Sequence, residues 1–339
     1  MDDARPRHET IDALVESPLQ LLSAIEAHAA GLGGTPTRVQ VRSDVPALAR
    51  TLDALAAAGL PEDLVTSLRA PRAALSPFCA PDRMVGDAFS GLFQASLLTR
   101  RTRSLVVVDD GLATLHLARL LVDGGTLLRA GVAASPRRVR LAGLAARRLA
   151  RLAAHDRLTL FTALPVADAL AADLAVRGVR LERNRFAWLR GRTVAEPPAE
   201  PTVVVGSALA ANGLVAPEPY LAWVIGHAAR GPLRYIPHRR SDPDVLRALA
   251  ETPGITVDES VVPIELRLAG MRAGQQVLSL PSTAAVLLAS ILTPRGVSVE
   301  AFAVPDDWWA DQVSGARRAY LQSAVPLVAA ARAEAERER

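Results

Sequence analysis

Short apolar runs rich in β-branched residues alternate along this chain with longer segments whose apolar positions recur every three or four residues. Runs of the first kind suit strands buried on both faces, and segments of the second kind suit amphipathic helices. Sustained over 339 residues, the alternation predicts an α/β protein built on parallel sheets with helices on both faces. The first unit reads as a strand from Thr10 to Val15, the polar pair Glu16 and Ser17, and a helix opened by Pro18 and closed near Gly31 to Gly34. Serine before proline at a helix's first position is a strong start signal, because proline has no amide to lose there. A second strand, Arg38 to Val41, leads to a helix capped by Ser43 or Asp44 and ending at Gly59. A longer helix around Arg83 to Leu98 then feeds the strand Ser104 to Val108, and further strands are expected near Leu158 to Thr162 and Phe186 to Leu189.

At Thr193 to Pro201 the pattern stops: three prolines in nine residues and no apolar period predict an exposed linker. Beyond it the alternation restarts, with strands at Thr202 to Val205, Leu233 to Ile236, Gly254 to Val257, Gln276 to Leu280 and Val297 to Phe302. The helices between them start at Pro217, Asp242, Pro263 and Ser282. The expected organisation is therefore two Rossmann-like domains, residues 1–195 and 201–313. Residues 314–339 form a terminal helix, packed back across the domains or alone on the surface.

Composition narrows the classes. No apolar run approaches the roughly 20 residues that span a bilayer, and the first residues carry no apolar stretch of a secretory signal, so a cytoplasmic protein is expected. Cys79 is the single cysteine, which excludes an internal disulfide and a Cys-rich zinc site. The net charge is +4, and all 39 basic residues are arginine. Arg100, Arg101 and Arg103 form one cluster; Arg137, Arg138, Arg140, Arg147, Arg148 and Arg151 form another, on a helix whose other face carries Leu141, Leu144, Leu149 and Leu152. An ordinary solvated face explains the second cluster, and so does an anionic membrane surface, with the protein peripheral at the inner face of the cell membrane, or a polyanionic acceptor. Aromatics make up only 4% of the chain, too few for the stacking platforms of single-stranded nucleic acid, and no nucleic-acid partner is expected.

In open parallel sheets ligands bind beyond the carboxyl ends of the strands, so polar residues that follow an apolar run are the candidates. Val106 to Val108 end in Asp109, Asp110 and Gly111; a carboxylate there is suited to removing a proton from a hydroxyl nucleophile, with Asp109 as base, while Asp110 equally suits the cap of the next helix. Tyr235 to Pro237 lead to His238, Arg239 and Arg240, an imidazole between fixed charges that would protonate or hydrogen-bond a departing phosphate. Leu278 to Pro281 lead to Ser282 and Thr283 at a helix start, where free amides suit a phosphate and hydroxyls equally suit capping. Glu265 after Pro263 and Ile264 could hold ribose hydroxyls, and Gly206 with Ser207 follows another strand. There is no Gly-x-Gly-x-x-Gly, P-loop, Asp-x-Asp or paired-histidine helix, which weighs against dinucleotide, NTPase and metal chemistry; no metal or other cofactor is expected.

Six of these segments occur in one order: Glu16-Ser17-Pro18-Leu19-Gln20, Gly86-Asp87-Ala88-Phe89-Ser90 with Gln94, Val108-Asp109-Asp110-Gly111, Tyr235-Ile236-Pro237-His238-Arg239, Pro263-Ile264-Glu265 and Ser282-Thr283-Ala284. Together they resemble the bacterial lipooligosaccharide sialyltransferases and capsule polysialyltransferases, over most of the chain. The resemblance implies a GT-B fold, two Rossmann-like domains facing a central cleft. It also implies an inverting, metal-independent transfer of sialic acid or a related nonulosonic acid from its CMP-activated donor to a glycan or glycolipid hydroxyl. By that resemblance Asp109 is the general base and His238 assists the CMP phosphate, with Ser282 and Thr283 on the same group. Glu265 lies near the ribose or cytosine, and Ser17 and Gln20 line the acceptor side together with Asp110 and Gly111. Arg239 departs from the family, whose capsule enzymes have proline after the histidine. Two other readings stay open: a GT-B-like epimerase or transferase acting on a UDP-sugar, and a non-catalytic protein that binds anionic glycans.

Overall fold

The computed structural model describes residues 10–69, 78–130, 132–192, 196–238, 240–258 and 262–337. The chain divides into two compact units, Met1–Arg192 and Thr193–Arg339. In each a parallel sheet forms the centre, so the α/β expectation from the alternating pattern holds.

The first unit runs β1 (Ile11–Val15), α1 (Pro18–Ala27), β2 (Thr37–Arg42), α2 (Pro46–Ala57), β3 (Leu64–Arg69), β4 (Asp82–Val85), α3 (Gly91–Thr99), β5 (Ser104–Val108), α4 (Leu112–Asp123), α5 (Pro136–Ala153), β6 (Leu158–Thr162), α6 (Asp168–Val176), β7 (Val179–Arg183) and α7 (Ala187–Arg190). Its seven strands lie in the order β3-β2-β1-β4-β5-β6-β7, which reverses direction between β1 and β4. Ile11 pairs in parallel with Thr37 on one side and Asp82 on the other. Strands β1, β5 and β6 are largely apolar and buried, and Val85, Phe93, Leu97, Leu105, Leu149 and Leu158 belong to one core between the sheet and helices α3 and α5.

Four local expectations fail here. The segment read as one helix from Arg83 to Leu98 is strand β4 followed by helix α3. Its charged start disguised a buried strand: Asp82 accepts from Arg103 and the Ser104 hydroxyl, and Arg83 lies under the Phe78 ring, donating to the Ser96 and Arg101 carbonyls. Strand β3 was not anticipated, because a half-exposed edge strand lacks the apolar run that marks a central one. The strand expected at Phe186 to Leu189 is helix α7, and the polar β7 holds that edge of the sheet. Helix α2 is capped by neither Ser43 nor Asp44; it begins at Pro46 after Val45, and Asp44 pairs with Arg42.

The second unit runs β8 (Thr202–Val205), α8 (Ala208–Ala211), α9 (Pro217–Ala228), β9 (Leu233–Ile236), α10 (Pro243–Ala250), β10 (Ile255–Val257), α11 (Ile264–Arg267), β11 (Gln276–Ser279), α12 (Thr283–Leu292), β12 (Ser298–Ala301), α13 (Gly315–Gln322) and α14 (Ala324–Arg337). The five-strand order is β10-β9-β8-β11-β12, again with one reversal, between β8 and β11. Helix α12 is buried along nearly its whole length, from Ala285 to Leu292, against β12 and α14. The terminal segment is not one helix: it breaks at Ser323, three residues before Pro326, which only the first turn of a new helix tolerates. Ala324, Val328, Ala331 and Ala335 form the buried stripe of α14, whose small side chains let it lie close on α12.

Thr193 to Ala195 of the expected linker lie outside the described residues. The rest of it is not a free tether. Gln275 donates to the carbonyls of Pro198 and Glu200, and the Glu200 carboxylate takes two hydrogen bonds from Arg234. No described helix is long and apolar enough to cross a membrane.

Candidate functional site

In the first unit, candidate residues gather at the carboxyl ends of β1, β4 and β5, beside the reversal in strand order, where open α/β sheets leave a crevice. Ser17 follows β1 and caps α1, its hydroxyl accepting from the Gln20 amide at 3.3 Å. The cap fixes the first turn of α1 and with it the buried Gln20 side chain. Gln20 Oε1 accepts from the Glu16 amide at 2.7 Å, which leaves its Nε2 to donate to Asp110 Oδ1 at 2.8 Å. Gly86, after β4, is the residue that admits this side chain: a Cβ there would lie 2.3 Å from Gln20 Cγ.

Asp109 and Asp110 follow β5 as consecutive residues of an extended chain, so their side chains diverge. Asp109 turns toward β6, where one carboxylate oxygen accepts from the Thr162 hydroxyl and the other from the Ala163 amide at 2.6 Å. It is 0% exposed, and burial pushes its pKa up to about 6 against the pull of those two donors. The expected base, Asp109, is thus a carboxylate sealed from solvent with each oxygen already accepting one hydrogen bond.

Asp110 is the accessible one. Besides Gln20 it accepts from Arg129 Nη2 at 3.0 Å, and the same nitrogen donates to Asp87 Oδ2 at 2.7 Å. Burial is the largest influence on Asp110 and raises its pKa; the neighbouring Asp87 charge adds to the rise, and Gln20 and Arg129 oppose it. A small pocket lined by Gly86, Ala88, Phe89, Val107, Ala113, Thr114 and Leu117 opens beside this carboxylate. Asp110 does not cap α4: the cap position is Gly111, without a side-chain bond, at φ 66 and ψ −146, a backbone that favours glycine. That turn sends the chain into the helix while the Asp110 side chain faces Gln20 and Arg129. Arg129 and Asp87 were not among the residues expected to act. Asp87 stood in a quoted segment without a role, and Arg129 lies in an irregular stretch between α4 and α5 where no pattern marks it.

In the second unit the candidates gather at the ends of β9, β8 and β11, three adjacent strands around the reversal. Gly206 donates to the Ile236 carbonyl at 2.7 Å, and a Cβ on it would lie 2.6 Å from the His238 nitrogen, so glycine permits the loops after β8 and β9 to touch. Ser207 spends its hydroxyl on the Leu209 amide, and its own amide donates to Tyr220 Oη, which shares a hydrogen bond with Tyr235 Oη. Half-buried His238 accepts from the Arg240 amide at Nδ1, 3.3 Å. Arg239 lies outside the described residues.

Ser282 caps α12 by accepting from the Ala285 amide at 3.1 Å, and its hydroxyl lies 3.2 Å from that of Ser279. Thr283 is the first helical residue, half-buried beside it. Glu265 in α11, a helix packed on α12, is 7% exposed; burial raises its pKa, and its own backbone amide is the opposing influence. Among the described residues no group of three or more His, Cys, Asp or Glu side chains is arranged to hold a metal ion.

The fold and these two clusters define a chain of two parallel, Rossmann-like α/β units, each with polar side chains gathered where its strand order reverses. No family model matches the chain, and no curated protein matches it in sequence. Among solved structures it is similar to a UDP-glucosyltransferase from Polygonum tinctorium capable of glucosylating indoxyl, in complex with 3,4-dichloroaniline (TM-score 0.48, 12% identity, 99% of this chain and 94% of that one). It is similar also to a UDP-glucose:anthocyanidin 3-O-glucosyltransferase in complex with UDP (TM-score 0.46, 10% identity, 98% and 93%). A third is Phytolacca americana UGT2 complexed with UDP-2-fluoro-glucose and pterostilbene (TM-score 0.46, 9% identity, 97% and 95%).

Proposed function

We propose that this chain is an inverting glycosyltransferase of the GT-B type that moves sialic acid or a related nonulosonic acid from its CMP-activated form to a glycan hydroxyl. The observation that carries the proposal is the Asp110 carboxylate, held between Gln20 and Arg129 at the carboxyl end of β5 beside a small pocket. The sequence resemblance to CMP-sialic-acid-dependent enzymes supports the choice of donor, and the exposure of the Asp110 side chain, 18% against 0% for Asp109, supports it as the base.

In the transfer, the acceptor oxygen forms a bond to the anomeric carbon of the donor sugar as the bond from that carbon to the CMP phosphate oxygen breaks. The acceptor proton passes to Asp110. Gln20 and Arg129 favour its ionised state, and its half-buried setting keeps it basic enough to accept the proton. The electron pair of the broken bond leaves with CMP. In the second unit His238, the amino-terminal amides of α12 and Thr283 are the groups suited to hold the phosphate of the donor. Ser282 acts indirectly, by capping that helix end. Glu265, in the short helix α11 packed on α12, accepts ribose hydroxyls.

Calorimetry with CMP and with UDP, followed by mass spectrometry of products from a panel of CMP-nonulosonic acids, tests this reading. CMP binding with transfer of one such sugar supports it. Binding of UDP in place of CMP would replace the donor with a UDP-sugar. Binding of anionic glycans with no turnover of any nucleotide sugar would reduce the chain to a binding protein.

A further inference from the structure

Helix α5 carries a second surface that the proposed reaction does not use. Its inner face, Ala142, Ala145, Leu149 and Leu152, belongs to the core of the first unit. Arg138 is also turned inward, donating to Gln94 Oε1 and the Phe89 carbonyl at 2.6 Å each. On the opposite side Arg137, Arg140, Leu144, Arg147 and Arg151 follow one another at spacings of three and four residues and are all exposed. That spacing puts them in one line along the helix, about 21 Å long at 1.5 Å per residue. Leu144, expected on the buried face, lies in this line at 43% exposure.

We propose that this face of α5 docks on an anionic phospholipid surface, lying flat in the headgroup layer. Three features select that partner. The helix contains no acidic residue, and none of the four arginines forms an ion pair among the described residues, so their charge is uncompensated. Guanidinium groups pair bidentately with phosphate oxygens, the anion that a phospholipid surface repeats in two dimensions. Leu144, in the middle of the arginine line, then supplies an aliphatic side chain that the acyl boundary accepts. A soluble polyanion gives aliphatic side chains nothing to enter, and α5 has no aromatic ring to stack on a sugar or a base.

Flotation of the full chain with vesicles of phosphatidylcholine alone, or of phosphatidylcholine with phosphatidylglycerol, tests the proposal without reference to catalysis. Binding is expected only to the anionic vesicles, and to fall in high salt. Near such a surface each arginine contributes about fivefold, so the variant with Arg137, Arg140, Arg147 and Arg151 all changed to Gln is expected to bind roughly 10²–10³-fold more weakly. Leu144→Ser is expected to weaken vesicle binding severalfold while leaving binding to soluble polyphosphate unchanged. Equal binding to both vesicle types, or an unaffected quadruple variant of native thermal midpoint, would overturn the proposal. So would a Leu144→Ser variant that binds vesicles as the parent does, because the surface would then be a site for soluble polyanions.

Discussion

Gln20 Nε2 donates to Asp110 Oδ1 across 2.8 Å, and this bond joins the first turn after β1 to the end of β5. Because Gln20 lowers the Asp110 pKa, its loss should raise it, and a general base is lost as pH falls through its pKa. Gln20→Met should therefore move the acid limb of the kcat/KM profile to higher pH and lower kcat. Arg129→Ala should do the same, since both its charge and its hydrogen bond favour the ionised carboxylate. Asp87→Asn removes a like charge and should shift the limb the other way. Limbs that stay in place in all three variants would detach Asp110 from the rate.

In the second unit the close approach of two loops depends on Gly206. Its substitution by alanine puts a methyl 2.6 Å from the His238 nitrogen and 2.8 Å from the Ile236 carbonyl, both backbone atoms. The expected cost is about 1–3 kcal/mol of stability, with weakened CMP affinity as His238 is displaced. Gly226, in α9 with nothing within 4 Å, is the control: Gly226→Ala should be neutral or slightly stabilising. Thermal midpoints and calorimetry with CMP distinguish the two variants.

Glu26 is a buried carboxyl far from either cluster in function: it accepts from the Trp188 and Leu189 amides at the start of α7. Burial pushes its pKa from 4.5 up to about 7 against those donors. The folded chain then holds this proton more tightly than the unfolded chain, so stability falls as pH rises between those values. The loss should be on the order of 3 kcal/mol. Asp109 adds a loss of the same sign as pH rises from 3.8 to about 6. Urea unfolding across that range should show the slope, and Glu26→Gln should flatten its upper part.

The position of the candidate residues at strand ends was legible wherever a polar residue followed an apolar run. Asp109 and Asp110 after Val108, His238 after Ile236 and Ser282 after Leu280 all lie at carboxyl ends of central strands, and the apolar runs themselves located those strands. The edge strands of the first unit were not legible, because β3 and β7 are partly exposed and carry arginine, threonine and glutamate where a core strand carries valine. Strand β4 was hidden for the opposite reason: Asp82 and Arg83 are buried, Asp82 bonded to Arg103 and Ser104 and the two terminal nitrogens of Arg83 to two carbonyls, an arrangement that only three-dimensional neighbours reveal. The choice between Asp109 and Asp110 belongs to the same class. Adjacent carboxylates are alike in sequence, and what separates them is that Thr162 and Ala163 stand on one side of β5 while Gln20 and Arg129 stand on the other.

Turnover of purified Asp110→Asn and Asp109→Asn with a CMP-nonulosonic acid donor and a glycan acceptor, read by mass spectrometry of the product, tests the assignment of the base most directly. Loss of a general base lowers the rate about 10²–10⁴-fold, and the Asp110 variant should show that loss with native stability. The Asp109 variant should keep its turnover within about tenfold and lose stability instead, since its asparagine can serve only one of the donors at Thr162 and Ala163. The reverse pattern, an active Asp110→Asn and a folded but inactive Asp109→Asn, would contradict the account.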